Sequence, residues 1–218
     1  MRFASVVLDV DSTLAGIEGI DWLAALRDRE TVALVRGLTE DAMSGQLSLE
    51  DAYHLRLARI APTRAEVSEL AAAYRANVAP GAADAVARLK SAGVRVVAIT
   101  GGIADAVIPL CGDVSIAASD VHAVIVHWDD DGRYLDFDRA SPLATHGGKS
   151  DVLSRLSLPR PILAVGDGST DLAMRTDGEA DAFAAFTGFV SRPSVVKAAD
   201  HAIASFSELV ALVLPGGA

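Results

Sequence analysis

Three apolar runs in this chain of 218 residues stop abruptly in short segments rich in Asp, Thr and Gly. Residues 3–8 lead into Asp9-Val10-Asp11-Ser12-Thr13-Leu14, residues 94–99 into Thr100-Gly101-Gly102, and residues 162–165 into Gly166-Asp167-Gly168-Ser169-Thr170-Asp171. Helix-like patterns lie between strand-like ones, notably over residues 82–92, 149–156 and 206–214. The alternation predicts an α/β fold, a doubly wound parallel sheet with a Rossmann-like core and helices on both faces. Residues 114–117 and 182–186 read as further strands. A sheet of this kind places its chemistry at or beyond the carboxyl ends of its strands, where the three polar segments stand.

Residues 17–78 carry helix patterns and no convincing strand. Thr63-Arg64-Ala65-Glu66 has the form of a capping box, and Thr39 or Ser48 would cap the helices before it. The expected organisation is an α/β core over residues 1–14 and 79–218, with residues 15–78 inserted as a helical cap. Within the core, residues 120–140 read as a β-hairpin excursion, with strands over 122–128 and 133–137. Its turn, Asp129-Asp130-Asp131-Gly132, lacks the ligand spacing and closing Glu of a calcium loop and reads as solvated.

Composition narrows the function classes. With 51% hydrophobic residues the chain can bury a full core, and a formal charge of -10 with no basic face disfavours nucleic acid and anionic membranes as partners. An anionic substrate must therefore be captured by a local positive site. Cys111 is alone, so no intrachain disulfide forms. No uncharged stretch reaches the roughly 18 residues that span a bilayer, and the first residues lack a signal-peptide pattern. A cytoplasmic protein is expected, with its oligomeric state open.

The polar segments carry the chemistry. Residues two apart on a strand project to one side, so Asp9 and Asp11 converge as the strand unwinds, and they repel unless a cation, a proton or an electrophile intervenes. Such a pair alone is more often an ordinary acidic loop. Thr100-Gly101-Gly102 offers a hydroxyl and backbone NH groups suited to a phosphate oxygen. Lys149, behind Gly147 and Gly148, opposes the dipole at a helix start and calls for a compensating anion. Asp167 and Asp171 supply hard oxygen ligands of the kind magnesium prefers. Four carboxylates and a phosphate monoester cannot share a site without a divalent cation, a lysine and one protonated carboxyl group.

In order along the chain, Asp9, Asp11 and Thr13 as DxDxT, the strand ending in Thr100, then Lys149, then Asp167 and Asp171 as GDxxxD resemble the four motifs of the haloacid dehalogenase superfamily. The acid at position 11 marks its phosphatase branch. The resemblance is closer still to the phosphoserine phosphatase family and extends over nearly the whole chain. It rests on Glu18-Gly19-Ile20-Asp21, Ala42-Met43, Arg56, Gly147-Gly148-Lys149-Ser150 and Arg192. It implies a phosphatase acting through an aspartyl-phosphate, with Asp9 as nucleophile and Asp11 as general acid and base. Magnesium would be held by Asp9, Asp167 and the backbone carbonyl of Asp11, with Asp171 and Thr13 supporting. Thr100, Gly101, Gly102, Lys149 and Thr170 would surround the phosphate, while Glu18, Met43 and Arg56 would contact the serine part of phosphoserine. Leu49 and Trp22 are apolar residues able to shape the cap pocket without touching the phosphate chemistry. Two other readings stay open: a phosphatase or phosphotransferase for another small metabolite on the same core, and a receiver-type signalling module.

Overall fold

The computed structural model describes residues 1–43 and 45–216, with the side chain of Met43 outside the described set. Six parallel strands form the central sheet: β1 (Ser5–Leu8), β2 (Arg95–Ile103), β3 (Val121–Val124), β6 (Ile162–Gly166), β7 (Ala182–Phe186) and β8 (His201–Ile203), in the spatial order β3-β2-β1-β6-β7-β8. All residues of β1, β6 and β7 are buried, as strands covered on both faces require. Leu8 pairs with Ala98 on one side and Val165 on the other, so β1 and β6 end nearly level at one rim, whereas β2 continues past the expected end at residue 99, through Thr100-Gly101-Gly102 to Ile103. From β1 the chain builds outward through β2 and β3, then returns to β6 on the opposite side. The topological switch point therefore falls between β1 and β6, where Asp9 and Asp167 emerge.

The edge of the sheet departs from the sequence expectation. Residues 114–117 are not a strand. They finish α6 (Ala104–Asp113), with Ser115 at φ 65 and the Ile116 NH bonded to the Cys111 carbonyl. Val114 and Ile116 are buried all the same, so the apolar run records burial and not an extended backbone. The edge strand is β3, which takes the first half of the expected hairpin. A separate two-stranded ribbon remains, β4 (Val126–Trp128) antiparallel to β5 (Tyr134–Phe137). β8 was not foreseen from the sequence.

Between β1 and α5 (Ala82–Ser91) stand four helices: α1 (Gly19–Ala24), α2 (Arg29–Met43), α3 (Leu49–Ile60) and α4 (Arg64–Ala76). The chain enters and leaves this insert side by side, with Gly16 NH bonded to Asn77 O and Ala79 NH to Leu14 O. Ser48 caps α3 as expected, but Thr39 sits inside α2 and donates to the Val35 carbonyl. In α4, Val67, Leu70, Ala71 and Tyr74 are buried at helical spacing, and the helix packs on α6. The β4–β5 ribbon clasps its start, with Arg64 NH on the Gly132 carbonyl and Tyr134 NH on the Pro62 carbonyl. The remaining helices are α7 (Gly148–Arg155), α8 (Ser169–Thr176), α9 (Pro193–Ala198) and α10 (Phe206–Val213). Among the described residues no helix is long and apolar enough to cross a membrane.

The capping box of α4 is present and is tied to the loop after α1. Glu66 accepts from the Thr63 NH at 2.8 Å, and Arg27 donates to both its oxygens at 2.7 Å while also reaching the Ile60 carbonyl. Glu66→Ala is expected to cost about 1.5 to 3 kcal/mol in urea unfolding at neutral pH. The Arg27 hydrogen bonds, opposed by partial burial, hold the Glu66 carboxyl down to about 2 from an ordinary value of 4.5. A depressed carboxylate stabilises the fold above its unfolded value and loses that contribution as pH falls through the folded one. The gap between wild type and variant should close as pH falls from about 4.5 toward 2.

Candidate active site

The floor of the site gathers at the switch point. Asp9 follows β1 directly, Asp167 follows β6, Asp171 lies in the first turn of α8, and Lys149 in the first turn of α7. All four are nearly inaccessible, between 1% and 7% exposed. The Lys149 ammonium donates to Asp9 Oδ1 at 2.7 Å and to Asp171 Oδ1 at 2.6 Å. Asp171 Oδ2 also accepts the Gly168 NH at 3.0 Å. Two glycines make this packing possible. A Cβ on Gly166 would stand 2.2 Å from the Asp171 carboxyl carbon, and one on Gly148 would stand 1.7 Å from the Pro142 carbonyl oxygen.

Asp9, Asp167 and Asp171 each offer an oxygen, all within 4.8 Å of one another. Three buried oxygen donors of this type suit a hard divalent cation. The electrostatics agree. Burial, then the Asp9 charge, pushes the Asp171 carboxyl up to about 7 and Asp167 upward as well. Burial opposes the Lys149 charge, yet Asp171 and Asp9 outweigh it and lift its ammonium above the ordinary range. The lysine stays charged while Asp171 and Asp167 resist full ionisation, so the cluster is short of positive charge.

Asp11 stands apart from the trio. Its Oδ1 accepts the Gly19 NH at 2.7 Å and the Tyr74 phenol at 2.6 Å. Burial first, then the Asp9 charge, raises its carboxyl to about 6. That is the range in which a carboxyl group can carry a proton and later accept one.

These residues line one cavity of about 390 Å³, closed on the insert side by Glu18, Asp21, Thr39, Leu49, Tyr53 and Arg56. Arg56 is half-buried, reaches the Thr39 hydroxyl at 3.3 Å and the Ala52 carbonyl at 3.4 Å, and has no carboxylate within ion-pair distance among the described residues. Burial lowers its guanidinium below the ordinary value. Glu18 accepts from the Ser12 hydroxyl at 2.7 Å, with Arg192 at 3.8 Å. Its carboxyl is raised by partial burial and then by Asp11. Tyr53 donates to the Gly101 carbonyl at 2.9 Å, joining α3 to the rim of β2.

The expected residues fall into groups. Asp9, Asp11, Glu18, Arg56, Gly101, Gly102, Lys149, Asp167, Thr170 and Asp171 line the cavity together. Thr100 lies beneath its wall, fully buried, its hydroxyl accepting the Gly102 NH at 3.0 Å. Thr13 is buried behind the loop, and its hydroxyl has no partner among the described residues. Met43 ends α2, and its side chain lies outside the described residues. Leu49 lines the cavity, whereas Trp22 packs half-buried against the core. Tyr53 and Tyr74 carry no signal of function in the sequence, and Arg192 enters there only as part of the resemblance, without a role. The two tyrosines sit at core-facing helical positions that signal burial alone. Arg192 precedes α9 and donates to Asp167 Oδ2 at 2.8 Å, a contact across 25 residues that spacing does not announce. Cys111 is buried, and burial pushes its thiol up to about 12, as befits an inert core residue.

The model of the haloacid dehalogenase-like hydrolase family matches residues 6–175. Phosphoserine phosphatase of Rattus norvegicus is 37% identical over 209 residues, covering 94% of this chain and 91% of its own length. The Homo sapiens enzyme of the same name is 36% identical over 209 residues with the same coverage. Among solved structures, a phosphoserine phosphohydrolase-like protein from Francisella tularensis superposes with a TM-score of 0.84 at 23% identity, covering 96% of this chain and 99% of that one, a likeness of fold.

Proposed function

Given that this chain belongs to the haloacid dehalogenase-like hydrolase family, we propose that it is a phosphoric monoester hydrolase that releases serine and phosphate from phosphoserine through an aspartyl-phosphate on Asp9. One observation carries the reading: a single cavity has the Asp9–Lys149–Asp171 cluster at its floor and, on its opposite wall, Arg56 with no carboxylate partner among the described residues. The floor suits a phosphate, and an unpaired half-buried guanidinium suits a carboxylate. Glu18, lining the same cavity, suits an ammonium. Phosphoserine carries all three groups, and the relatives at 36% and 37% identity bear the corresponding name. The lone thiol Cys111 accords with a reducing, cytoplasmic setting.

Asp9 attacks phosphorus in line, so its oxygen forms a bond to phosphorus as the ester oxygen departs. Asp11 gives that oxygen a proton. Then, as a carboxylate, it takes one from the water that cleaves the acyl phosphate. Lys149 and the NH group of Gly101 offset charge on the equatorial oxygens, with Thr170 at the edge. The insert covers the cavity and limits water during the first step. Asp9 and Asp167, with the Asp11 carbonyl, would hold magnesium, which when bound supplies positive charge against the phosphoryl group.

Chelation is expected to remove activity and added magnesium to restore it. Asp167→Ala should raise the magnesium concentration needed for half-maximal rate at least tenfold, since it deletes one oxygen donor of the set. Full turnover in excess chelator would discard the metal-assisted reading. The function itself is tested by phosphate release from phosphoserine, phosphothreonine, sugar phosphates and other monoesters with magnesium present. A strong preference for another ester would retain the core chemistry and discard the substrate, and silence on all of them would discard both.

A further inference from the structure

The two oxygens of Asp11 have unequal surroundings. Oδ1 receives hydrogen bonds from the Gly19 NH at 2.7 Å and the Tyr74 hydroxyl at 2.6 Å. Those two donors occupy both lone pairs of that oxygen, so a proton on this carboxyl must sit on Oδ2. Oδ2 lies beside Gly102, both residues lining the cavity: a Cβ added to Gly102 would stand 3.3 Å from it. Tyr74 is fully buried, and its hydroxyl is the donor in that 2.6 Å bond. Gly19 leaves it room. A Cβ at Gly19 would lie 2.1 Å from the phenol oxygen.

Resting on the reading that Asp11 protonates the departing alcohol, we propose that Tyr74 is a positioning residue whose phenol, with the Gly19 amide, confines the acid proton to Asp11 Oδ2 and aims it at the leaving group. In the step it serves, the Asp9 oxygen bonds to phosphorus and the ester P–O bond breaks. Its electron pair goes to the alcohol oxygen, which takes the proton from Oδ2. Asp11 is left anionic, with Oδ1 still receiving two hydrogen bonds. Both donors belong to the helical insert, Gly19 opening α1 and Tyr74 lying near the end of α4, whereas Asp11 follows β1. The acid is therefore aimed only while these parts of the insert are seated on the core.

A purely structural tyrosine, holding α4 to the catalytic loop, would affect every ester alike. An aiming residue matters in proportion to how much proton the leaving group needs. The test is kcat/KM for wild type and Tyr74→Phe over phosphoserine and a series of aryl phosphates of graded leaving-group acidity, with magnesium saturating. Tyr74→Phe is expected to lose about 10- to 100-fold on phosphoserine and less than about threefold on p-nitrophenyl phosphate, steepening the dependence on leaving group. Gly19→Ala, which must displace the phenol, should show the same steepening, and the double variant should be little worse than either single one. Parallel losses across the series, or no loss on phosphoserine, would overturn the assignment. A wild-type protein inactive on every ester would remove the hydrolase reading, and this inference with it.

Discussion

Asp9→Asn is expected to abolish phosphate release, with a loss of about four decades or more in kcat, and to leave no phosphoenzyme. Asp9 is the carboxylate at the end of β1 on which Lys149 converges, and an amide in its place keeps a carbonyl oxygen for that 2.7 Å hydrogen bond but is not a nucleophile. The fold should not suffer. One negative charge leaves a buried cluster that also holds Asp167 and Asp171, so thermal unfolding should occur at the same temperature or higher. Asp11→Asn makes the contrast, because it should still form some phosphoenzyme from an ester with a good leaving group. Acid-stable label persisting in Asp9→Asn would assign the nucleophile to another residue.

Arg56→Ala should produce the second largest effect, and a selective one. Its guanidinium is half-buried on α3, makes weak hydrogen bonds to neutral groups at 3.3 and 3.4 Å, lies 6.0 Å from the centre of the Tyr53 ring, and faces the cavity without a carboxylate partner among the described residues. Removing one member of a desolvated charge pair costs about 2 to 4 kcal/mol, or roughly one and a half to three decades in kcat/KM for phosphoserine. p-Nitrophenyl phosphate has no carboxylate and should fall less than about threefold. Stability should change little, since both hydrogen bonds that Arg56 makes in the folded protein are long and weak. Equal losses on both esters would indicate damage to the insert, and no loss on phosphoserine would show that Arg56 does not read the carboxylate.

The chemistry of the floor was legible because it is local. DxD after an apolar run and GDxxxD after another need only the alternation of a strand and the turn that ends it. The parallel, doubly wound sheet was legible for a similar reason, since apolar runs separated by helix patterns leave few other arrangements. Residues 114–117 misled because an apolar run reports burial, and burial at the end of α6 serves Val114 and Ile116 as well as a strand would. Ser115 at φ 65 turned that segment, and nothing in its residue type announces a left-handed backbone.

By itself the sequence determined which groups follow β1 and β6, and with them an acidic, lysine-bearing rim in need of a cation and an anion. Tertiary structure decided what those groups touch. Lys149 meets Asp9 across 140 residues, and Tyr74 meets Asp11 across 63. The first depends on how α7 packs against α8 and β2, the second on how the insert sits on α6 and on the Gly19 gap that admits a phenol. Backbone periodicity encodes the burial of a side chain such as Tyr74, but the partner of its polar atom is set only when separate elements pack, because a hydrogen bond requires placement to within a few tenths of an ångström.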